Sequence, residues 1–238
     1  MRPRVICHMG ASIDGRIVTD AWPVSVSDAV RRQYEETHDS YDADGWLCGR
    51  VTMEPFAGGV RSASELAQQR ISAAPRDDFV APGGHSSFAF ALDPSGRLAW
   101  KSNNISGDHV VAILSERVSD EYLSFLCERG VSYLLAGTRE VDLVVALDKI
   151  ADLFGIRTLM LEGGGRINGA MLRAGLIDEV SVLVVPLADG AIGTPSLFDV
   201  APDTDRLTIR RSSHLLELQA VEQRPGDILW LRYRVIHE

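Results

Sequence analysis

Residues 158–169 read Thr158-Leu159-Met160-Leu161-Glu162-Gly163-Gly164-Gly165-Arg166-Ile167-Asn168-Gly169. A short apolar run ends in an acid and three glycines, and a helical pattern follows: Ile167, Ala170, Met171 and Ala174 fall on one face and Gly175 stops it. This is a buried strand turning straight into a helix. The same grammar extends in both directions. Upstream, Val110-Val111-Ala112-Ile113-Leu114 reads as a strand buried on both faces. Ser119 opens a helix with Asp120 and Glu121 in its first turn, where acids suit the positive end of the dipole. Residues 131–136 form the next strand, and Leu143, Leu147, Ile150, Ala151 and Phe154 the next helix, closed by Gly155. Downstream, residues 179–185 form another strand. Three consecutive β-α-β units predict a mostly parallel central sheet flanked by helices.

The first half fits the same α/β sheet. Val5-Ile6-Cys7-His8-Met9 and Gly45-Trp46-Leu47-Cys48 read as strands, with a helix between them that passes through Tyr34 and His38. Residues 57–85 read as a surface excursion with a short helix over 64–72, and 86–92 as a strand. At the end, 206–217 and 227–235 alternate apolar and polar around Arg224-Pro225-Gly226, which predicts an antiparallel C-terminal hairpin on the sheet edge. No repeat or low-complexity linker interrupts the chain, so residues 1–238 are expected to form one domain.

Composition narrows the function. The 238 residues carry 24 Lys+Arg against 33 Asp+Glu, a formal net charge of −9, which argues against nucleic acid and anionic membranes as partners. Cys7, Cys48 and Cys127 are too few and too scattered for a disulfide framework or a zinc site. The N-terminus shows no signal-peptide core and no apolar stretch approaches membrane-span length, so the expected location is the cytoplasm. No H-x-x-x-H, H-E-x-x-H or G-x-S-x-G spacing occurs, so neither a metal site nor a serine nucleophile is expected. His8, in a buried strand beside Cys7, reads as a hydrogen-bonded core histidine.

The glycine run carries the chemistry. Glycines at a strand-to-helix turn let a ligand approach the main chain, and free N–H groups at the helix start favour an anion such as a pyrophosphate. A dinucleotide fingerprint would need glycine where Asn168 stands, and a P-loop would need a lysine that is absent. A nucleotide bound in another manner remains, as does a simple tight turn. Asp14, in the loop after the first strand, and Glu162, after an apolar strand, are the acids expected near a substrate; Asp14-Gly15 is also a turn former.

Taken together, Leu159 to Gly165 with Asn168, Asp178-Glu179-Val180, Pro186 and Gly190 resemble the RibD C-terminal reductase domain, a family with the dihydrofolate-reductase-like fold. Ser12-Ile13-Asp14-Gly15 matches its S-x-D-G segment, Gly49-Arg50-Val51-Thr52 its G-x-x-T segment, and Gly130 to Tyr133 with Ala136-Gly137 fits its stand-alone members. The resemblance implies an NADPH-dependent oxidoreductase of riboflavin biosynthesis, acting on a phosphoribosylaminouracil-type substrate, and a homodimer. It implies cofactor contacts at Gly49, Thr52, Ser115, Arg117, Gly137, Gly163, Gly164, Gly165, Ile167 and Asn168, with Arg117, or its rival Lys101, on the 2′-phosphate. Substrate contacts would fall at Ala11, Ser12, Glu54, Phe56 and Pro186, with Asp14 and Glu162 as catalytic acids. The zinc-deaminase signature of related bifunctional proteins is missing. One departure stands out: the riboflavin reductases carry an aspartate four residues after the G-x-x-T threonine, and Phe56 stands there. Phe56, Trp22 and Trp100 could line an aromatic pocket or pack the core. A pteridine or dihydrofolate-type reductase, and a nucleotide-binding protein without turnover, are the alternatives.

Overall fold

The computed structural model describes residues 1–18, 22–62, 64–65, 75–199 and 213–237. The described chain divides into two compact units, residues 1–3 with 44–157 (unit 1) and residues 4–43 with 158–238 (unit 2).

Unit 1 holds β2 (Gly45–Gly49), α2 (Arg50–Ala57), β3 (Phe88–Leu92), β4 (Asn104–Ile105), β5 (Asp108–Leu114), α3 (Asp120–Glu128), β6 (Ser132–Leu135) and α4 (Leu143–Phe154). The strand β3 lies between β2 and β5, and β6 runs parallel along the free edge of β5, where the short β4 turns back antiparallel. Caps fix the helix starts: Ser119 accepts from Tyr122 N–H, and Asp142 from Val144 and Val145 N–H. Gly155, left-handed at φ 71°, closes α4 as its sequence position predicts. Trp100, Tyr122, Leu123, Leu126 and Tyr133 are fully buried in the core, each aliphatic side chain worth about 1.5–3 kcal/mol of burial.

Unit 2 holds β1 (Arg4–Ser12), α1 (Val24–Asp39), β7 (Thr158–Leu161), α5 (Gly165–Arg173), β8 (Glu179–Val185), β9 (Leu216–Arg224) and β10 (Ile228–Val235). The strand β1 lies between β7 and β8, parallel to both, and β10 and β9 extend the sheet antiparallel from β8. Trp22 and Trp230 pack with Val30, Leu183, Val185 and Ile228 into this unit's core. The C-terminal hairpin is present, but its first strand is Leu216–Arg224 rather than 206–217. The alternation at 206–217 misplaced the strand start; Pro225 and Gly226 sit just after Arg224, so the strand runs up to the turn. Residues 206–212, and most of the helix expected over 64–72, lie outside the described residues. Among the described residues no helix is long and apolar enough to cross a membrane, and no cluster of His, Cys, Asp or Glu could hold a metal.

Candidate active site

In unit 1 the register aligns Gly49 with Leu92 and Ile113, and Leu114 with Leu135, so β2, β3, β5 and β6 end along one edge. That edge brings together Gly49, Thr52, Ser115, Arg117 and Gly137. Gly49 is the N-cap of α2 and no side chain caps it, which leaves the first N–H groups of the helix for a ligand. Glu116 N–H donates to Gly137 O at 2.9 Å and ties the β5 and β6 loops together. Arg117 is exposed on that turn. Ser115 leaves the donor set: its side chain is buried, and its N–H and hydroxyl both donate to Pro94 O, at 3.0 and 2.8 Å. Gly137 (φ 86°) answers to its own loop, since a Cβ there would sit 2.3 Å from Glu140 O. Glu54 pairs with Arg50 one helical turn earlier. Phe56 is 54% exposed and meets Trp46 edge-on, ring centres 6.0 Å apart, so it offers an aromatic face and no acceptor. Trp22 and Trp100 are core residues of different units.

In unit 2 the edge is built differently. Leu161 pairs with Cys7, whereas β1 runs on to Ser12, opposite Val185. Glu162 is therefore level with His8, and β1 ends four residues further, about 13 Å along the strand. The two acids expected together are thus set apart. Asp14 belongs to a locked turn: its carboxylate accepts from Ser12 Oγ (2.6 Å) and from the N–H groups of Asp189 (3.0 Å) and Gly190 (2.8 Å). These bonds, Ser12's first, hold its pKa well below the usual carboxylate range, so it is a fixed anion and no proton donor. Ala11 and Ser12 are buried, and Ser12 Oγ also accepts from Arg16 N–H. Pro186 is exposed at the end of β8.

Glu162 has a different partner. Its Oε1 lies 2.6 Å from Nδ1 of His38 in the last turn of α1, with side chains 13% and 28% exposed. Sequence reading missed His38, because 124 residues separate the two and only the packing of α1 makes them neighbours. His8 beneath them is fully buried, with Nδ1 2.9 Å from Ser181 Oγ and Nε2 3.2 Å from Thr37 Oγ1. Burial pushes its pKa down to about 4, against a smaller upward pull from Glu162. Burial, helped by Glu162, raises the Cys7 thiol.

The glycine run divides in two. Gly163 takes φ 96° against Met9, and Gly164 is the N-cap of α5 with no side-chain cap, so its main chain is open to a ligand. Gly165 and Gly169 serve another purpose. A Cβ on either would sit 2.1 Å from Ser196 O or 2.2 Å from Asp199 O, because residues 196–199 lie directly on α5. Asp199 N–H donates to Gly165 O at 2.9 Å, and Asn168 Nδ2 donates to Leu197 O at 3.0 Å. Gly165, Ile167 and Asn168 were expected on the cofactor; in the structure Ile167 and Asn168 are buried and Gly165 packs against 196–199. The residue types needed for close approach of a ligand and of a chain segment are the same, which is why the motif did not tell them apart.

The sequence signature of the RibD C-terminal domain matches residues 3–228. The chain belongs to this family. A 2,5-diamino-6-ribosylamino-4(3H)-pyrimidinone 5′-phosphate reductase from Methanothermobacter thermautotrophicus is 30% identical over 231 residues, 93% of this chain and 98% of the relative. Among solved structures, a pyrimidine reductase-like protein from Corynebacterium diphtheriae superposes with TM-score 0.69 at 16% identity, covering 99% of this chain and 93% of the other. The riboflavin biosynthesis reductase of Saccharomyces cerevisiae gives 0.56 at 17%, covering 99% and 90%. The RibD C-terminal assignment makes the chain an oxidoreductase with the dihydrofolate-reductase-like α/β fold, a class that draws on a nicotinamide cofactor.

Proposed function

We propose that this RibD C-terminal domain works as a single reductase domain on a ribosylamino-pyrimidinone 5′-phosphate, the substrate class for which its relative from M. thermautotrophicus is named, with NADPH as reductant. The observation that carries the proposal is the Glu162–His38 pair beside the open main chain of Gly164. When bound, the cofactor supplies a hydride to the sugar C1′. Opening the ribosylamine breaks the C1′–O4′ bond and leaves O4′ in need of a proton. The protein's task is to deliver that proton, and a carboxylate hydrogen-bonded to an imidazole over 2.6 Å is fitted to it. Asp14 fixes the turn between β1 and residues 189–190 and takes no part in the transfer.

Each unit by itself leaves donors free that suit part of a nucleotide cofactor. In unit 1, the uncapped start of α2 at Gly49, the Thr52 hydroxyl and the exposed Arg117 suit phosphates, with Arg117 on the 2′-phosphate. Gly49 ends β2 and Arg117 lies in the turn after β5, and those strands are two positions apart in the sheet, about 10 Å. In unit 2, Gly164 offers its main chain, while the carboxylate of Asp199 beside Gly165 keeps phosphates from moving further along α5.

The pairing face of the C-terminal hairpin leaves Leu218, Val221 and Leu229 41–53% exposed. A second copy of the chain covering this face accounts for it and gives a cytoplasmic homodimer. Steady-state assay decides the function: the expected result is NADPH oxidation with the ribosylamino-pyrimidinone phosphate and none with dihydrofolate. Tight NADPH binding without turnover on either substrate would overturn the enzymatic reading.

A further inference from the structure

Unit 1 carries an open groove of about 590 Å³ whose walls bring Arg61, Lys101 and Arg129 together with one acid, Glu65, over Trp100 and Phe125. In a chain of net charge −9 this is a local reversal of sign. The guanidinium carbons of Arg61 and Arg129 each lie 3.9 Å from the centre of the Phe125 ring. Arg61 Nη2 donates to Glu65 O at 3.0 Å, but its Nη1 is buried and has no partner. The side-chain ion pairs of unit 1 engage Arg50, Arg76 and Lys149; among the described residues none takes Arg61, Lys101 or Arg129. Burial, and then the charge of Arg129, pull the Arg61 guanidinium below its ordinary pKa. Glu65 and Glu128 offset this only in part, and three cations gathered in one groove are unfavourable unless an anion joins them.

We propose that this groove is an anion site for a small phosphate group, separate from the reductase edge. Two guanidinium forks and an ammonium match the several acceptor oxygens of a phosphate better than they match a single carboxylate. The aromatic residues exclude a nucleotide base as the anchor: Trp100 is 1% exposed, and Phe125 is stacked against both arginines. The ligand is therefore inorganic phosphate or a non-aromatic phosphomonoester. The groove also lies away from Arg117. Val110 N–H donates to Asn103 O (2.8 Å) and Asn103 Nδ2 to Gly130 O (3.3 Å), which places Lys101 and Arg129 by the amino end of β5. Arg117 lies beyond the carboxyl end of that strand, which ends about 13 Å from Val110. The inference does not depend on which substrate the reductase edge takes.

Calorimetric titration of the full chain with inorganic phosphate and with ribose 5-phosphate, at fixed ionic strength, tests it. Saturable binding is expected, weakened about tenfold or more in Arg129→Gln and again in Lys101→Gln, with unchanged thermal melting. Preference for ribose 5-phosphate identifies a phosphomonoester, and equal binding identifies free phosphate. NADPH and NADH affinities should be unchanged in Arg129→Gln. Absence of saturable binding to the wild type, or phosphate binding in both variants as tight as in the wild type, would overturn the site. A selective loss of NADPH affinity in Arg129→Gln would also overturn it, because the groove would then hold the cofactor's 2′-phosphate.

Discussion

Asp14 and Glu162 follow neighbouring strands of one sheet, and both read as site acids from the sequence. The structure gives them opposite environments. Asp14 accepts from a hydroxyl and two backbone N–H groups within a closed turn, partners that cannot take up or release a proton at working pH. Glu162 faces His38, a group whose ordinary titration lies near neutrality. A carboxylate held by backbone donors is a structural anchor; one held by an imidazole belongs to a proton-exchanging pair. Position at the end of a strand does not separate the two cases, and the identity of the partner does.

Removing the exchangeable pair should have the largest effect. Glu162→Gln keeps the shape and deletes the basic oxygen, so kcat is expected to fall by about 10²–10⁴-fold. His38→Asn should lower it less and should flatten the pH dependence of kcat, because the carboxylate remains while its titrating partner is gone. Stopped-flow measurement of NADPH oxidation reads both. If Glu162→Gln retains wild-type kcat, the pair is structural and the contrast with Asp14 collapses.

Acid should expose the buried side of the same region. His8 has a pKa near 4 in the folded chain and about 6.5 unfolded. Between those values the unfolded chain binds a proton that the native chain does not, so stability is lost as pH falls from 6.5 to 4 and is complete above 6.5. The loss is about 3 kcal/mol at the acid end. His109, also buried and lowered to about 4, acts in the same direction. Urea unfolding at pH 7 and pH 4.5 should show the drop and a smaller one in His8→Gln. In Glu162→Gln the drop should deepen, since Glu162 is the group that pulls the His8 pKa up.

The fold was largely legible. Apolar runs, caps and glycine stops placed β5 through β8 because those strands are buried on both faces and the helices between them end at glycines, two of the three starting on side-chain caps. Strand order was not legible: β1 lies between β7 and β8, a pairing between residues more than 150 positions apart that no local pattern encodes. The candidate site was half legible. Glu162, Gly163 and Gly164 came from the motif. His38 did not, nor did residues 196–199, which claim Gly165, Asn168 and Gly169. Gly169→Ala tests that claim directly. The new methyl gains helix propensity but lands 2.2 Å from Asp199 O, so the net cost is expected to be about 2 kcal/mol, read by urea unfolding. A neutral or stabilising result would mean that the segment yields easily and that α5 is open to a ligand along its first two turns.

The smallest effect is expected at the other carboxylate. Asp14→Asn, with its oxygen in the place of Oδ1, retains the bonds from Ser12 and Asp189 and puts an amide where Gly190 N–H now donates, so one donor loses its partner. The turn should loosen without opening, because Ile13 N–H still donates to Leu187 O at 2.8 Å and Ser12 N–H to Arg16 O at 2.9 Å. Turnover should fall by about tenfold or less, through KM rather than kcat, as expected of a residue that holds a loop and exchanges no proton. The acid limb should respond too. The depressed pKa of Asp14 contributes stability that is present above the ordinary carboxylate range and lost as pH falls below it, and the asparagine variant lacks this contribution at every pH. Its unfolding profile should therefore be flatter than wild type below pH 4 while its kcat profile keeps the wild-type shape. A changed kcat profile would place a transferable proton on Asp14 and erase the distinction between the two loops.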